Sequence, residues 1–252
     1  MSGATGREAV TVKIQVIGRE EEFAKAYNCI CRCFGEQVQD AVWIAMNPAW
    51  HTPEGKAAGT ARLIEQSQSV TRNDHGDANT VFLQATIPDP HDSARHIIVG
   101  VAIWDQFSMV KGLGNEPSTD VRKVLDIDKV LSGHESEQRF LQQCFASLVG
   151  PRVEAVKAKA TTDSPATFSL SLCVVDPSYQ RRGIAVKLVQ WGLQEARRRG
   201  LLESTTEGSA MGRQVYGKLG FKPVQEVVYE VDDDFKHRAL PPNLFMRTWN
   251  ME

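Results

Sequence analysis

The chain lacks any run of 18 apolar residues, so no membrane span is expected. It also lacks an excess of charge. Its 29 basic and 31 acidic side chains leave a formal net charge of −2 at pH 7, so no basic field points to nucleic acid. The first residues, MSGATGREAVTVKI, hold no long apolar stretch, and so no secretory signal is expected. Cysteine is sparse and odd in number, five in 252 residues. That makes no disulfide framework and fits a reduced, cytoplasmic compartment. Cys29, Cys31 and Cys33 stand two apart in a helical pattern, so successive sulfurs point about 200° apart and do not converge on one metal ion. Asp74, His75, His91 and Asp92 sit in loop-like stretches without matching partners, and no metal site is expected. Two phosphate-binding signatures are missing as well: the Gly-Lys-Ser/Thr of a Walker loop and the three-glycine dinucleotide fingerprint.

What is present is ordinary globular composition, 42% hydrophobic and 24% charged, in a chain long enough for one large domain or two small ones. Residues 11–17 alternate as a strand. From Glu20, the spacing of Phe23, Ala26, Tyr27, Ile30, Cys33 and Phe34 predicts a helix with an acidic first turn. Residues 37–53 are apolar but poorly periodic and are broken by Pro48 and Pro53. Trp43 and Trp50 there are either packing anchors or walls of a substrate pocket, and His51 is either a solvent-facing cap or a polar pocket residue. Residues 54–70 read as a second helix. Two strands, 80–87 and 96–107, follow, joined by a loop rich in Pro, Asp and His. Gly100 in the second marks a bulge or a close approach.

Residues 108–166 interrupt the pattern with three helical stretches, 121–131, 135–149 and 152–160, the last two parted by Gly150-Pro151. Some sixty residues are far more than the usual connection of about 4–6. We read them as a helical insertion packed on a single domain spanning 1–252.

The stretch LSLCVVDPSYQRRGIAVKL, residues 170–188, then compresses a buried strand, a tight turn and a helix start into almost no loop. Asp176-Pro177 ends the strand, because Pro donates no ladder hydrogen bond. The first helical turn leaves N–H groups aimed at the turn, and a phosphate placed there gains hydrogen bonds plus the dipole. Gly183 removes a Cβ from the path of a bulky anion, and Ala185 is small for the same reason. The helix runs to Arg199, where Arg197, Arg198 and Arg199 complement the dipole at its end, and Gly200 stops it. A strand at 201–206, a short helix at 210–219 and two antiparallel strands at 224–231 and 244–251 complete the chain.

Gln180, Gly183 and Ala185 match the pattern Gln/Arg-x-x-Gly-x-Gly/Ala, and here the sequence resembles the pyrophosphate loop of the GNAT superfamily of N-acetyltransferases. A second stretch, VYGKLGF at 215–221, is similar to that superfamily's Leu-Tyr-x-Lys/Arg-Leu-Gly-Phe segment, with Val215 in place of the leucine. The resemblance is close over 168–231, which it makes the coenzyme-binding core. The length and the insertion look like those of fungal-type members. It implies an α/β (α+β) fold, a mixed, mostly antiparallel twisted sheet flanked by helices. It implies acetyl-CoA as co-substrate, without a metal. The motifs do not select a substrate; a primary amine of a small molecule is the expected partner because the sequence shows no reader domain and no strongly acidic pocket signature, nucleic acid and membrane are not expected, and a monomer or homodimer is. A protein lysine or N-terminal acetyltransferase, and a non-catalytic acyl-CoA-binding protein, are the alternatives.

By the same resemblance, backbone around Cys173, Val174 and Val175 would pair with the pantetheine arm. Arg181, Arg182, Gly183, Ile184, Ala185 and Val186 would hold the pyrophosphate. Ser209 falls where the superfamily often has an asparagine touching the coenzyme. Tyr216 would donate a proton to the coenzyme sulfur. The acceptor needs a base, since an alkylamine with a pKa near ~10.4 is free at pH 7 in only about one molecule in 2,500. Glu207 and, after it, Glu203 are the candidates, each equally readable as a surface or capping carboxylate.

Overall fold

The central strands are near-continuous apolar runs, and the fold buries both of their faces. The computed structural model describes residues 11–249; the expectations for 1–10 and 250–251 lie outside them. Seven strands, β1 (Lys13–Val16), β2 (Thr80–Asp89), β3 (Asp92–Ser108), β4 (Ala166–Val175), β5 (Glu203–Gly208), β6 (Lys222–Glu226) and β7 (Leu244–Arg247), form one sheet. Their order is β1-β2-β3-β4-β5-β7-β6. Every adjacent pair is antiparallel except β4 with β5. The mixed, mostly antiparallel sheet expected from the sequence is therefore the one observed. β7, last in sequence, lies inside the sheet between β5 and β6.

On one face, Val81, Leu83, Ala85, Ala102, Trp104, Phe168 and Leu170 pack with Ile184, Leu188, Val189 and Ala196 of the helix Ile184–Arg198. Trp104 stacks on Phe168 at 5.2 Å. Gly192 makes room for that pair, since a Cβ there would lie 2.0 Å from the Trp104 indole. The opposite face presents Phe82, Val101 and Val174 to Phe23, Ala26, Cys29 and Ile30 of the helix α1 (Glu20–Ile30). The chain continues as a π-helical turn, Cys31–Val38, then α2 (Ala41–Met46) and α3 (Pro53–Gln68).

The stretch between β3 and β4 brings a separate apolar cluster. Val121, Leu125, Ile127, Leu131, Phe140, Leu141 and Cys144 pack with Val42 of α2 and Phe235 near the end of the chain. It contains α4 (Ile127–Val130) and α5 (Glu135–Lys159). Here the expectation of two helices parted at Gly150-Pro151 is corrected: α5 runs through both. Pro151 removes one backbone donor, but Val149, Val153 and Val156 remain buried, and that packing holds the helix together across the gap. The remaining helices are α6 (Ile184–Arg198) and α7 (Gly212–Lys218).

Several strand boundaries also differ, β5 among them, which runs 203–208 and so takes Glu207 into the strand. The loop expected between residues 87 and 96 is largely strand, leaving only residues 90–91 between β2 and β3. One register shift, at Ala85/Thr86, precedes it, and another, at Pro88/Asp89, takes up its first Pro and Asp. The first shift lies opposite Gly100, whose absent Cβ would stand 3.1 Å from both Ile184 and the Val174 carbonyl. β6 begins at Lys222 and stops at Glu226, and β7 stops at Arg247, so both are shorter than the apolar runs suggested.

Candidate active site

The site begins where the one parallel pair comes apart. β4 and β5 pair from Thr167↔Glu203 to Leu170↔Thr206 and no further, although β4 continues to Val175. Beyond that fork, Ser171 is exposed and Leu172 and Cys173 are half-buried in a strand otherwise buried. A bulge sits at the same point: Trp104 pairs with Leu170 and Ile103 with Leu172, so Ser171 is the extra residue. The bulge reverses the alternation. Phe168 and Leu170 face α6, and past Ser171 it is Cys173 and Val175 that join that face while Leu172 and Val174 turn to α1. Cys173 is thereby aimed at Tyr216 of α7.

The end of β4 turns into α6 through a braced corner. Asp176 accepts the Ser178 N–H at 2.9 Å and is ion-paired with Arg32 of the π-helical turn. Val175 O accepts from Gln180 Nε2 at 3.0 Å and from Cys33 Sγ at 3.0 Å, so this carbonyl is already occupied. Gln180 is held further by Gln37 at 2.8 Å. The π-helical turn thus supplies Arg32, Cys33 and Gln37 as a brace for the corner; no spacing in the sequence announced it. Arg181 and Gly183 adopt φ of +60° and +78°. Gly183 is the N-cap of α6, no side chain caps that helix, and a Cβ on Gly183 would meet nothing within 4 Å. The first N–H groups of the helix, on Ile184, Ala185 and Val186, face this open corner. Arg182 lies over the Tyr179 ring at 5.2 Å.

Tyr216 stands across the fork from Cys173. Burial, and then the neighbouring thiol, hold its phenol far above the ordinary value, so it carries its proton at neutral pH. Burial likewise pushes the Cys173 thiol up to about 12, which leaves it a poor nucleophile. Gly212 and Gly208 line the Tyr216 ring.

Glu207 closes the other arm of the fork. It is neither a solvated carboxylate nor a helix cap: Oε1 accepts from Arg152 Nε at 3.0 Å, and its side chain is 7% exposed. Burial pushes its carboxyl up and Arg152 pulls against it. Arg152 comes from α5 and also donates to Ser171 Oγ at 3.1 Å. Sequence reasoning passed over it, because nothing local distinguishes it from other helix arginines. The same cluster holds Asp105 of β3, bonded by Thr80 at 2.7 Å. Burial raises that carboxyl, and Ser171, Thr80 and Arg152 oppose the rise.

Other expected site residues fall elsewhere. Glu203, the second candidate base, is held away from the open end of the fork. It pairs with Thr167 at the closed end of the parallel strands, and Arg247 (2.5 and 2.9 Å) and Lys159 (3.3 Å) hold both its oxygens. Ser209 Oγ accepts the Gly212 N–H at 3.1 Å, which makes it a local cap for α7. Trp43 packs at 5.9 Å from both Phe34 and Trp50, the anchor arrangement, while His51 is exposed with its ring edge on Trp50. Arg198 and Arg199 bind Asp77, Glu195 and the Ala78 carbonyl, tying the end of α6 to the turn before β2. Among the described residues no three His, Cys, Asp or Glu side chains group as metal ligands, and no helix is long and apolar enough to cross a membrane.

Residues 152–233, from the second half of α5 to the segment after β6, match the family model described as an acetyltransferase (GNAT) domain. The fold is the GNAT fold. Solved structures with this GNAT architecture include the Drosophila melanogaster polyamine N-acetyltransferase, which forms N-acetylagmatine (TM-score 0.57, 13% identity, 94% of this chain and 97% of that one). A mosquito arylalkylamine N-acetyltransferase like 5b gives a TM-score of 0.56 at 13% identity over 94% of this chain and 99% of that one. Arylalkylamine N-acetyltransferase 2 of Aedes aegypti gives 0.55 at 16% identity over 94% and 98%. No curated protein matches the sequence.

Proposed function

We propose that this chain is an acetyl-CoA-dependent N-acetyltransferase whose acceptor is the primary amine of a small molecule. The observation that carries the reading is the fork past Leu170 and Thr206, with an open glycine corner at its β4 end and a protonated tyrosine across it. The fit to the coenzyme is physical. The corner offers uncapped helix N–H groups beside a Gly183 with empty space where a side chain would be, as a diphosphate requires. The exposed edge of β4 from Ser171 to Cys173 offers backbone groups to an extended arm.

When bound, acetyl-CoA supplies an acyl group activated as a thioester. The chain's own residues do the rest. The Glu207 carboxylate takes the proton of the incoming ammonium, which otherwise withholds its lone pair at a cost of roughly 4–5 kcal/mol. The Tyr216 hydroxyl, kept protonated by burial, donates at the leaving sulfur. The proteins similar in fold that are named for arylalkylamines and polyamines support a small amine as acceptor. All five cysteines are free, which supports a reducing compartment.

The test is thiol release from acetyl-CoA with a panel of arylalkylamines, polyamines and lysine peptides, run beside calorimetry of coenzyme binding. Release with small amines is expected. Release only with peptides would establish a protein acetyltransferase instead, and binding without release from any amine would leave a non-catalytic coenzyme binder.

A further inference from the structure

Ser171 and Glu207 are the first residues past the last β4–β5 pair, one on each arm of the fork. A single side chain bridges them. Arg152 gives Nε–H to Glu207 Oε1 at 3.0 Å and Nη1–H to Ser171 Oγ at 3.1 Å, and its guanidinium lies over the Phe107 ring at 5.3 Å. It is carried by the second half of α5, so the stretch between β3 and β4 reaches the fork through it. We propose that Arg152 is a positioning residue for acetyl transfer: it fixes the gap between the two arms and keeps the buried Glu207 carboxylate ionised and turned into the fork. The inference rests on the acetyltransferase reading above.

A carboxylate removed from water needs a partner cation and donors for its lone pairs. The groups around Glu207 come from several elements. Tyr229 lies near its charge, Asn243 Nδ2 donates to its carbonyl at 3.3 Å, and Asp105 lies beyond the guanidinium. Arg152 is the cation among them. A planar guanidinium reaches two acceptors at fixed geometry, which an ammonium does not. Without it, only the bond from its own backbone N–H still opposes the effect of burial on Glu207. The carboxyl then holds its proton to higher pH and fails as a base first at the acid end of the profile.

The experiment compares wild type, Arg152→Met, Arg152→Lys and Glu207→Gln. Thiol release with agmatine and with tryptamine is followed over about pH 6 to 9, beside acetyl-CoA calorimetry. Carbon-13 titration of Glu-labelled protein, with the Glu207 signal assigned from its loss in Glu207→Gln, gives a readout that needs no turnover. Arg152→Met is expected to lose about 10²-fold in turnover, with the loss about tenfold deeper at the acid end. Its Glu207 signal titrates at higher pH than in wild type, and coenzyme affinity stays within about threefold. Arg152→Lys keeps the acid limb in place with reduced turnover. A Glu207 signal that titrates unchanged in Arg152→Met, or a loss equal at every pH, overturns the proposal. Should Arg152→Met not fold, a displaced acid limb or wild-type turnover in Arg152→Lys overturns it. Wild type that turns over no amine defeats the acetyltransferase reading itself, and the carbon-13 titration still decides whether Arg152 governs Glu207.

Discussion

Replacing Gly183 by Glu separates the coenzyme corner from the rest of the fold. In the free protein the new side chain has room, because nothing lies within 4 Å of the position its Cβ would take. The cost is conformational: φ is +78°, and a residue with a Cβ pays about 1–2 kcal/mol in that region. At about 2–4 °C per kcal/mol for a chain of this size, Tm should fall by roughly 2–8 °C and the protein should stay folded at room temperature. Against a bound diphosphate the same side chain stands a negative charge where the helix N–H groups should be reached. Two like charges about 4 Å apart repel by about 1 kcal/mol in water and about 4 at an effective dielectric of 20. Acetyl-CoA affinity should therefore fall roughly 5- to 700-fold by calorimetry. Gly183→Asn, which tolerates the left-handed region, serves as the uncharged control and should bind better than the Glu variant. A folded Gly183→Glu protein that binds acetyl-CoA as wild type does would refute the phosphate corner, and with it the acyl-transfer reading.

Tyr216→Phe keeps the ring against Phe221 and removes only the donor, so turnover should drop about 10²-fold while coenzyme affinity and Tm hold; equal losses of binding and turnover would make Tyr216 a packing residue. Glu203→Gln leaves Arg247 and Lys159 facing each other without their carboxylate, which should cost about 3–5 kcal/mol and lower Tm by roughly 6–20 °C. Turnover per folded molecule should be unchanged, and a selective loss of turnover would restore Glu203 as a base. Glu22 gives a pH test. Burial pushes its carboxyl up, but donors from Gln84, Gly18 and Arg19 overcome this and bring it down to about 2. A depressed carboxyl stabilises the fold above its ordinary value near 4.5 and loses that contribution as pH falls toward 2. Urea midpoints of wild type minus Glu22→Gln should shrink across that window, and a constant difference would refute the assignment.

The corner from Asp176 to Ala185 was legible because it is local: a strand, a proline stop, a glycine at positive φ and a helix start fall within a few consecutive residues. The apolar run of β3 was legible for the same reason, being local. What escaped is non-local. The bulge at Ser171 arises from pairing with β3 and leaves no mark in the apolar run that contains it. Arg152 reads as one more helix arginine until α5 is laid beside the fork, 19 residues of sequence away from Ser171 and 55 from Glu207. Glu203 and Glu207 are four apart on one strand and look alike in sequence, yet β4 pairs beside one and has parted from the other. The split of the two carboxylates, one stapled between cations and one at the open end of the fork, is thus a property of the sheet.

The seat of β7 between β5 and β6 sets an order of assembly. Until residues 244–247 are in place, the edge of β5 has no neighbour on that side and β6, wholly solvent-facing, has no ladder to join. A nascent chain emerging from the ribosome can close the β1–β4 portion early, but the strand bearing Glu207 gains its second flank only from residues 244–247. Premature stop codons even a few residues upstream of Leu244 should then yield an open, sticky sheet rather than a working fold.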